Sequence, residues 1–214
     1  MKLVGMFDSP YVRRVAVSMR LLDLPFEHLN WSIGRDQAQI AELNPLGQVP
    51  VLVADDGAVL VESLAIIDHL DQLVGPARAL VPPAGDARRR VQQLAALAMG
   101  AADKARLQAS ERIFRPSALR HPPLLARLRA QMLATCHALE RACAARGDAA
   151  EWLIGDTITQ ADIALVCGLT YAIEAAELEL DAGSLPALRA RHARLAALPV
   201  FREIYARFDA PVVD

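Results

Sequence analysis

Short apolar runs and amphipathic stretches alternate along the first third of the chain. Apolar runs of three to six residues predict strands, and stripes at three- and four-residue steps predict helices. A helix opens at Ser9-Pro10, where a serine cap precedes a proline in the first turn, and it ends before Pro25. The other predicted elements are strands at 3–7, 26–31, 51–54 and 58–61, and helices at 37–43 and 63–74. The order is βαβαββα.

The pattern changes after residue 75. Three prolines between residues 76 and 85 predict a linker, and everything beyond has helical periodicity. One buried stripe runs through Leu128, Met132 and Cys136. The predicted helices are 86–114, 122–146, 159–179, 184–194 and 199–208. We therefore predict an α/β domain at 1–75, a linker at 76–85 and an all-α domain at 86–214.

Composition narrows the function classes. The formal net charge is −2, so no broad positive field attracts nucleic acid or an anionic membrane. No apolar run is long enough to span a bilayer. Asp8 interrupts the short apolar stretch at the N-terminus, so we predict a cytoplasmic protein without a signal peptide. The three cysteines form no Cys-x-x-Cys pair, and the five histidines show no metal-ligand spacing. No metal site is predicted.

Two segments about a dozen residues apart carry the candidate chemistry. The first is Asn44-Pro45-Leu46-Gly47-Gln48-Val49-Pro50, which turns and enters a strand. The second is Glu62-Ser63, which opens an amphipathic helix. Each has a purely structural interpretation, because a proline often starts a strand and polar residues often cap helices. Together they would place free backbone groups and a helix N-terminus beside one pocket, which suits a small, extended, anionic peptide.

At this spacing the two segments resemble the glutathione site of the glutathione S-transferase family. The resemblance implies a cis peptide bond between Val49 and Pro50, with the Val49 main chain pairing with the cysteinyl backbone of glutathione like an added strand. It assigns Ser63 to the γ-glutamyl carboxylate and Glu62 to the γ-glutamyl ammonium. It also places Gln48 at that end of the peptide, although an exposed loop amide would explain Gln48 equally.

Ser9 is the catalytic candidate. As a helix cap before Pro10 it already has a sufficient structural role. The run Ser9 to Val15 resembles the start of the first helix in serine-type members of the family, where this hydroxyl donates to the glutathione sulfur. Tyr11 is the rival hydroxyl. No cysteine lies near this position, which argues against the cysteine-type members that reduce mixed disulfides.

The resemblance covers the whole chain, including a capping box at Thr159 to Asp162. It implies a thioredoxin-like N-terminal domain, an all-α C-terminal domain, and a homodimer. The implied activity is a detoxifying transferase that directs the glutathione thiolate at a small electrophile, without a metal. The electrophile pocket would lie beside the small side chains of residues 98 and 100–102. The alternative is a non-catalytic module that binds glutathione or another ligand on the same fold.

Overall fold

A computed structural model describes residues 1–147 and 149–210. The first part holds a four-stranded sheet and three helices. These elements are β1 (Lys2–Val4), α1 (Pro10–Leu21), β2 (Glu27–Leu29), α2 (Gln37–Leu43), β3 (Val51–Val53), β4 (Val59–Val61) and α3 (Ser63–Val74). The second part holds α4 (Gly85–Ile113), α5 (Pro122–Arg146), α6 (Gln160–Ala176), α7 (Pro186–Ala196) and α8 (Pro199–Glu203), with a single 3-10 turn at Ser117–Leu119.

The strand order in the sheet is β2-β1-β3-β4. β1 runs parallel to β2 and antiparallel to β3, and β4 pairs antiparallel with β3. A parallel pair joined by a helix, followed by an antiparallel hairpin, is the thioredoxin-like arrangement. The predicted fold class is therefore confirmed: a thioredoxin-like α/β part precedes a helical part. The domain boundaries proposed at residues 75 and 86 stay a prediction.

The helical part is built around α6, which is buried along almost its whole length. α6 packs closely on α4, because Gly168 has no side chain to separate the two helices. A Cβ atom at Gly168 would lie 2.5 Å from the carbonyl oxygen of Ala98. The side chains of Ala98, Ala101 and Ala102 are fully buried. Their small size serves helix packing, so the prediction that these three side chains make room for a substrate was wrong. Gly100, the fourth residue of that prediction, has no atom within 4 Å of a Cβ added there.

The last helix ends earlier than the sequence predicts, at Glu203 instead of residue 208. The chain then turns toward Glu174 of α6. That carboxylate accepts the Tyr205 hydroxyl at 2.8 Å and the Phe208 N–H at 2.8 Å. These two bonds replace the helical ones, and they bring the C-terminal segment against α6.

Candidate functional site

Three strand ends meet at one edge of the sheet. In the antiparallel register, Val51 of β3 lies opposite Val4 of β1 and Val61 of β4. Each of these strands continues one residue further along the same edge, and the residues that reach it are Gly5, Pro50 and Glu62. The two segments that the sequence singled out are therefore neighbours in space. The loop from Gly5 to α1 begins at the same edge of the sheet.

Gly5 sets how closely these segments approach. Its φ is +124°, a region that side-chain-bearing residues avoid. A Cβ atom there would lie 2.5 Å from Cγ2 of Val12 and 2.8 Å from Cβ of Val49. The first turns of α1 and the Val49 backbone can approach this closely because residue 5 has no side chain. A glycine inside a strand pattern was the available signal for this contact.

The loop before β3 is held by Asn44, a buried side chain that the sequence analysis gave no role. Its amide nitrogen donates to the Gln48 carbonyl at 2.8 Å, and its amide oxygen accepts the Leu46 N–H at 3.0 Å. The Val49–Pro50 peptide bond is cis. Within the described part of the chain, neither the N–H nor the C=O of Val49 has a hydrogen-bonding partner. This leaves one residue of strand-like backbone available to an added peptide.

Glu62 caps α3 and holds an unusual backbone conformation. Its φ and ψ are 72° and 128°, which is uncommon for a residue with a side chain, and such outliers often occur at ligand sites. Its carboxylate accepts the Leu64 N–H at 3.0 Å and the Ser63 hydroxyl at 3.4 Å. Ser63 is buried and Glu62 is exposed. Both residues stand at the helix end where the dipole favours an anion.

Ser9 caps α1 as the sequence predicts. Its Oγ accepts the Val12 N–H at 3.4 Å, and the hydroxyl proton has no acceptor among the described residues. The loop that carries Ser9 is fixed from both sides. Arg13 donates from Nε to the Phe7 carbonyl at 2.8 Å, and the ring of His28 stacks on Phe7 at 3.8 Å between centroids. The Ser9 hydroxyl is therefore held in place while its proton stays available.

Tyr11, the rival hydroxyl, is already engaged. Its hydroxyl donates to Asp103 of α4. Burial raises the pKa of Tyr11, and the hydrogen bond and charge of Asp103 raise it further. A phenol with a raised pKa, whose proton points at a carboxylate, is a poor donor to a thiolate. Asp103 itself is half-buried, and its partner lies 92 positions earlier in the chain.

Arg14 is a buried cation behind the same site. It is 5% exposed, and its Nε donates to the side-chain oxygen of Gln160 at 2.9 Å. Burial lowers the pKa of Arg14, while the negative charge of Glu62 acts in the opposite direction. The cation thus supplies positive potential on the protein side of the α3 N-terminus. The sequence offered no signal for this role, because α1 carries three arginines and nothing in the local pattern sets Arg14 apart from the other two.

A cavity of about 360 Å³ lies elsewhere, between α6, α7 and α8. It reaches Arg13 and is lined by His192 and Glu174 among others. None of the residues that the sequence proposed for glutathione borders this cavity. The proposed peptide site at the sheet edge is therefore distinct from it.

The described residues contain neither a candidate metal site nor a candidate membrane span. No three His, Cys, Asp or Glu side chains within residues 1–147 and 149–210 are grouped so that they would hold a metal ion. In the same part of the chain, no helix has the length and apolarity needed to cross a membrane.

Comparisons with known proteins agree on one family. Residues 3–78 match the model of the glutathione S-transferase N-terminal domain. The chain is 32% identical over 172 residues to the uncharacterized GST-like protein YibF of Escherichia coli strain K12, covering 80% of this chain and 81% of that protein.

Solved structures extend the match to the whole chain. A glutathione S-transferase of Methylobacterium radiotolerans, in complex with glutathione sulfonate, has a TM-score of 0.87 and 29% identity, with 100% and 99% of the two chains covered. A glutathione transferase family member of Pseudomonas fluorescens Pf-5, with bound glutathione, has a TM-score of 0.82 and 29% identity over 95% and 97% of the chains. That protein was also solved with bound S-(propanoic acid)-glutathione.

Proposed function

The chain belongs to the glutathione S-transferase family, and we propose that it binds glutathione, ionises the thiol with Ser9 and directs the thiolate at an electrophilic small molecule. The single observation that carries the proposal is the meeting of three features at one sheet edge. These are the unpaired Val49 backbone, the Glu62-Ser63 helix start and the free Ser9 hydroxyl proton.

The proposed binding mode uses main-chain groups for affinity and two side chains for orientation. The N–H and C=O of Val49 pair with the cysteinyl residue of glutathione as a short added strand. Ser63 and the first N–H groups of α3 bind the γ-glutamyl carboxylate, with Arg14 behind them, and Glu62 binds the ammonium. Gln48, exposed beside Val49, contacts the same end of the peptide. The glutathione complexes of similar proteins support this mode.

The proposed chemistry is thiolate stabilisation followed by attack. A free thiol has a pKa of roughly 8.5, so only a few per cent is ionised at neutral pH. The Ser9 hydroxyl donates to the sulfur, and the positive end of α1 favours the anion. The thiol proton leaves to solvent. The thiolate forms a carbon–sulfur bond, and the displaced electron pair leaves with a departing group or moves to a neighbouring carbon that is then protonated by water.

Two measurements test the proposal together. Glutathione titration followed by thiolate ultraviolet absorbance should show binding and a thiol pKa about 1 to 2 units below the free value. A conjugation assay should show turnover that Ser9→Ala reduces. Glutathione binding without a thiolate signal or turnover would favour the alternative, a non-catalytic binding module. No binding of glutathione at all would overturn the proposal.

The proposal also includes a homodimer in the cytoplasm. In the usual family dimer the thioredoxin-like domain of one subunit packs on the helical domain of the other around a two-fold axis. The apolar positions of α4 give little support to a dimer face on this helix, because Ala98, Ala101 and Ala105 are fully buried within one subunit. The remaining support is the charge difference between an acidic N-terminal part and a slightly basic helical part.

A further inference from the structure

A hydrogen bond joins α4 to the first turn of α1, close to Ser9. Tyr11 lies two residues after Ser9, in the first turn of α1, and its hydroxyl donates to Asp103 of α4. This bond draws the middle of α4 to the mouth of the proposed thiol site. Whatever approaches the sulfur from this side therefore meets the face of α4 that Asp103 marks.

Arg106 stands on that same face. It follows Asp103 by three residues, which is one turn of helix, and its side chain is exposed. Its charge also bears on two phenols of neighbouring helices, since it acts against the pKa increase that burial causes at Tyr11 on α1 and at Tyr171 on α6. The geometry that places Arg106 beside the thiol site is the bond from Tyr11 to Asp103 together with the one-turn spacing from Asp103 to Arg106.

Arg106 has no carboxylate partner at ion-pair distance among residues 1–147 and 149–210. Two acids of the same region are otherwise engaged. Asp103 accepts the Tyr11 hydroxyl, and Asp8 accepts the Asp209 N–H at 3.4 Å. Another cation, Arg13, donates to the carbonyl groups of Phe7, in the loop before α1, and of Ala206, in the C-terminal segment. Arg106 therefore keeps guanidinium donors that a ligand can use.

Two aromatic residues lie on α6 and on the C-terminal segment. The rings of Tyr171 and Phe208 meet edge to face at 5.4 Å between centroids. Phe208 is held there because its N–H donates to Glu174. Aromatic rings together with a guanidinium suit a molecule with an apolar body and one planar anion, because arginine binds a carboxylate with two parallel hydrogen bonds.

We propose that the electrophile taken by this protein carries a carboxylate, and that Arg106 binds this carboxylate while the electrophilic carbon faces the sulfur at Ser9. The inference rests on the proposed transferase function and adds the substrate class to it. Arg106 is a specificity-determining residue in this scheme. It touches the electrophile and leaves glutathione binding to the groups at the sheet edge.

A matched pair of probes tests the proposal. One is 4-chloro-3-nitrobenzoate, and the other is its neutral methyl ester. With either probe, the thiolate attacks the ring carbon that bears chlorine. The carbon–sulfur bond forms, the nitro group holds the added electron pair, and the carbon–chlorine bond then breaks to release chloride. The probes also differ in size and in the activation of the ring, but these differences are the same for every variant. A change in the ratio of their kcat/KM values from one variant to another therefore reports on the charge.

For Arg106→Gln, the ratio of kcat/KM for the benzoate to that for the ester should fall about 10- to 100-fold, as expected for loss of a charge-assisted contact. For Arg106→Lys this ratio should fall by less, because lysine keeps the positive charge but lacks the planar pair of donors of the guanidinium. Arg127→Gln, an exposed arginine on α5, removes the same net charge elsewhere and should leave the ratio unchanged within twofold. An unchanged ratio in Arg106→Gln, or an equal fall in Arg127→Gln, would overturn the proposal.

Calorimetry with the reaction products distinguishes a failure of the proposed transferase function from a failure of the proposed role of Arg106. The products are glutathione carrying the nitrobenzoate or its methyl ester on sulfur, and their binding requires no turnover. Wild type should prefer the carboxylate product, and Arg106→Gln should lose that preference. Turnover of the ester without any carboxylate preference would leave the transferase function standing and overturn the role of Arg106. A carboxylate preference without turnover of either probe would do the reverse.

Discussion

At the scale of single residues, the cap that Ser9 makes and the catalytic role proposed for it would use different parts of one hydroxyl. Its oxygen accepts the Val12 N–H and so caps α1, while its proton is free of any partner in the described chain. A hydroxyl has two lone pairs and one proton, so capping and donation to sulfur are compatible. The observed structural role of Ser9 therefore leaves room for the proposed catalytic one.

Replacing Ser9 by alanine should mainly affect turnover. We expect kcat to fall about 10- to 100-fold and the pKa of bound glutathione to rise by about 1 to 2 units, because the donor to the thiolate is lost. Initial rates and ultraviolet titration measure both. Ser117→Ala, an exposed serine far along the chain, is the control and should change neither. If Ser9→Ala left rate and thiol pKa unchanged, a backbone amide would have to be the donor, since Tyr11 is bonded to Asp103.

Replacing Ser63 by alanine should mainly affect affinity. Its contact with the γ-glutamyl carboxylate is the same before and during the reaction, so its loss weakens binding without slowing the bound complex. We expect the Kd for glutathione to rise about tenfold and kcat at saturating glutathione to stay within twofold. Calorimetry and saturation kinetics separate the two quantities. A lower kcat with an unchanged Kd would contradict the assignment of Ser63 to ground-state binding.

At the scale of elements, the contact between α4 and α6 determines the helical part. Gly168 allows this contact, because α6 can approach the backbone of Ala98 only where no side chain intervenes. The sequence signal was indirect. Helical periodicity placed the small residues of α4 on one face but did not say whether α6, a ligand or a second subunit would cover it. In the structure, Ala98, Ala101 and Ala102 lie in the core of the subunit itself.

Two glycine substitutions test this packing as a matched pair. Gly168→Ala should lower the free energy of unfolding by roughly 2 to 4 kcal/mol, because the new Cβ meets backbone that cannot rotate away. Gly100→Ala, also inside a helix but with nothing within 4 Å of the added atom, should raise it by about 0.5 to 1 kcal/mol. Urea unfolding followed by circular dichroism measures both. Similar effects of the two substitutions would show that helix propensity, and not the contact with Ala98, dominates.

The N-terminus of α6 shows the same division between local and long-range information. The capping box was predicted from Thr159 and Asp162, and the Asp162 carboxylate does accept the Thr159 N–H at 3.0 Å. The same carboxylate also accepts the Leu153 N–H at 2.9 Å, which the motif did not predict. One acidic side chain therefore fixes both the helix start and the loop before it.

At the scale of the whole molecule, burial of His192 should make stability depend on pH. His192 on α7 pairs with the Thr170 hydroxyl of α6 at 3.0 Å, and burial lowers its pKa to about 4. Its pKa in the unfolded chain is about 6.5. Between these values the unfolded chain binds a proton that the folded protein does not, so the free energy of unfolding falls as pH falls through this window.

From pH 7 to pH 5 this group alone should cost about 2 kcal/mol of stability. We expect His192→Gln to lose correspondingly less over the same interval, measured as urea unfolding at each pH. His137→Gln, an exposed histidine on α5, is the control and should follow wild type. Equal pH dependence in wild type and His192→Gln would show that the histidine is not the group responsible.

The oligomeric state is a second prediction at this scale. One chain has a mass of 23.2 kDa. Light scattering at micromolar concentration should give about twice that mass if the family's two-fold arrangement applies here. A mass near that of one chain would contradict the predicted homodimer. It would not affect the proposed glutathione site, whose groups all come from one subunit.

The sequence by itself determined the order of elements and the identity of the glutathione segments. Periodicity and capping residues report local backbone preference and burial, and these were enough to predict the βαβαββα order and, to within a few residues, most helix bounds. Ser9, Val49-Pro50 and Glu62-Ser63 were proposed as site residues because these segments resemble the glutathione site of the family. Such signals are local, because each depends on residues within one or two turns of the chain.

Only the tertiary structure decided which distant residues meet. The close approach at Gly5, the bond from Tyr11 to Asp103, and the bond from Arg14 to Gln160 all join positions on different elements. A sequence pattern shows that a face is buried or polar but not which face it meets. That choice depends on how all elements fill one core at close-packed density, where a single missing side chain such as that of Gly168 sets the distance between helices.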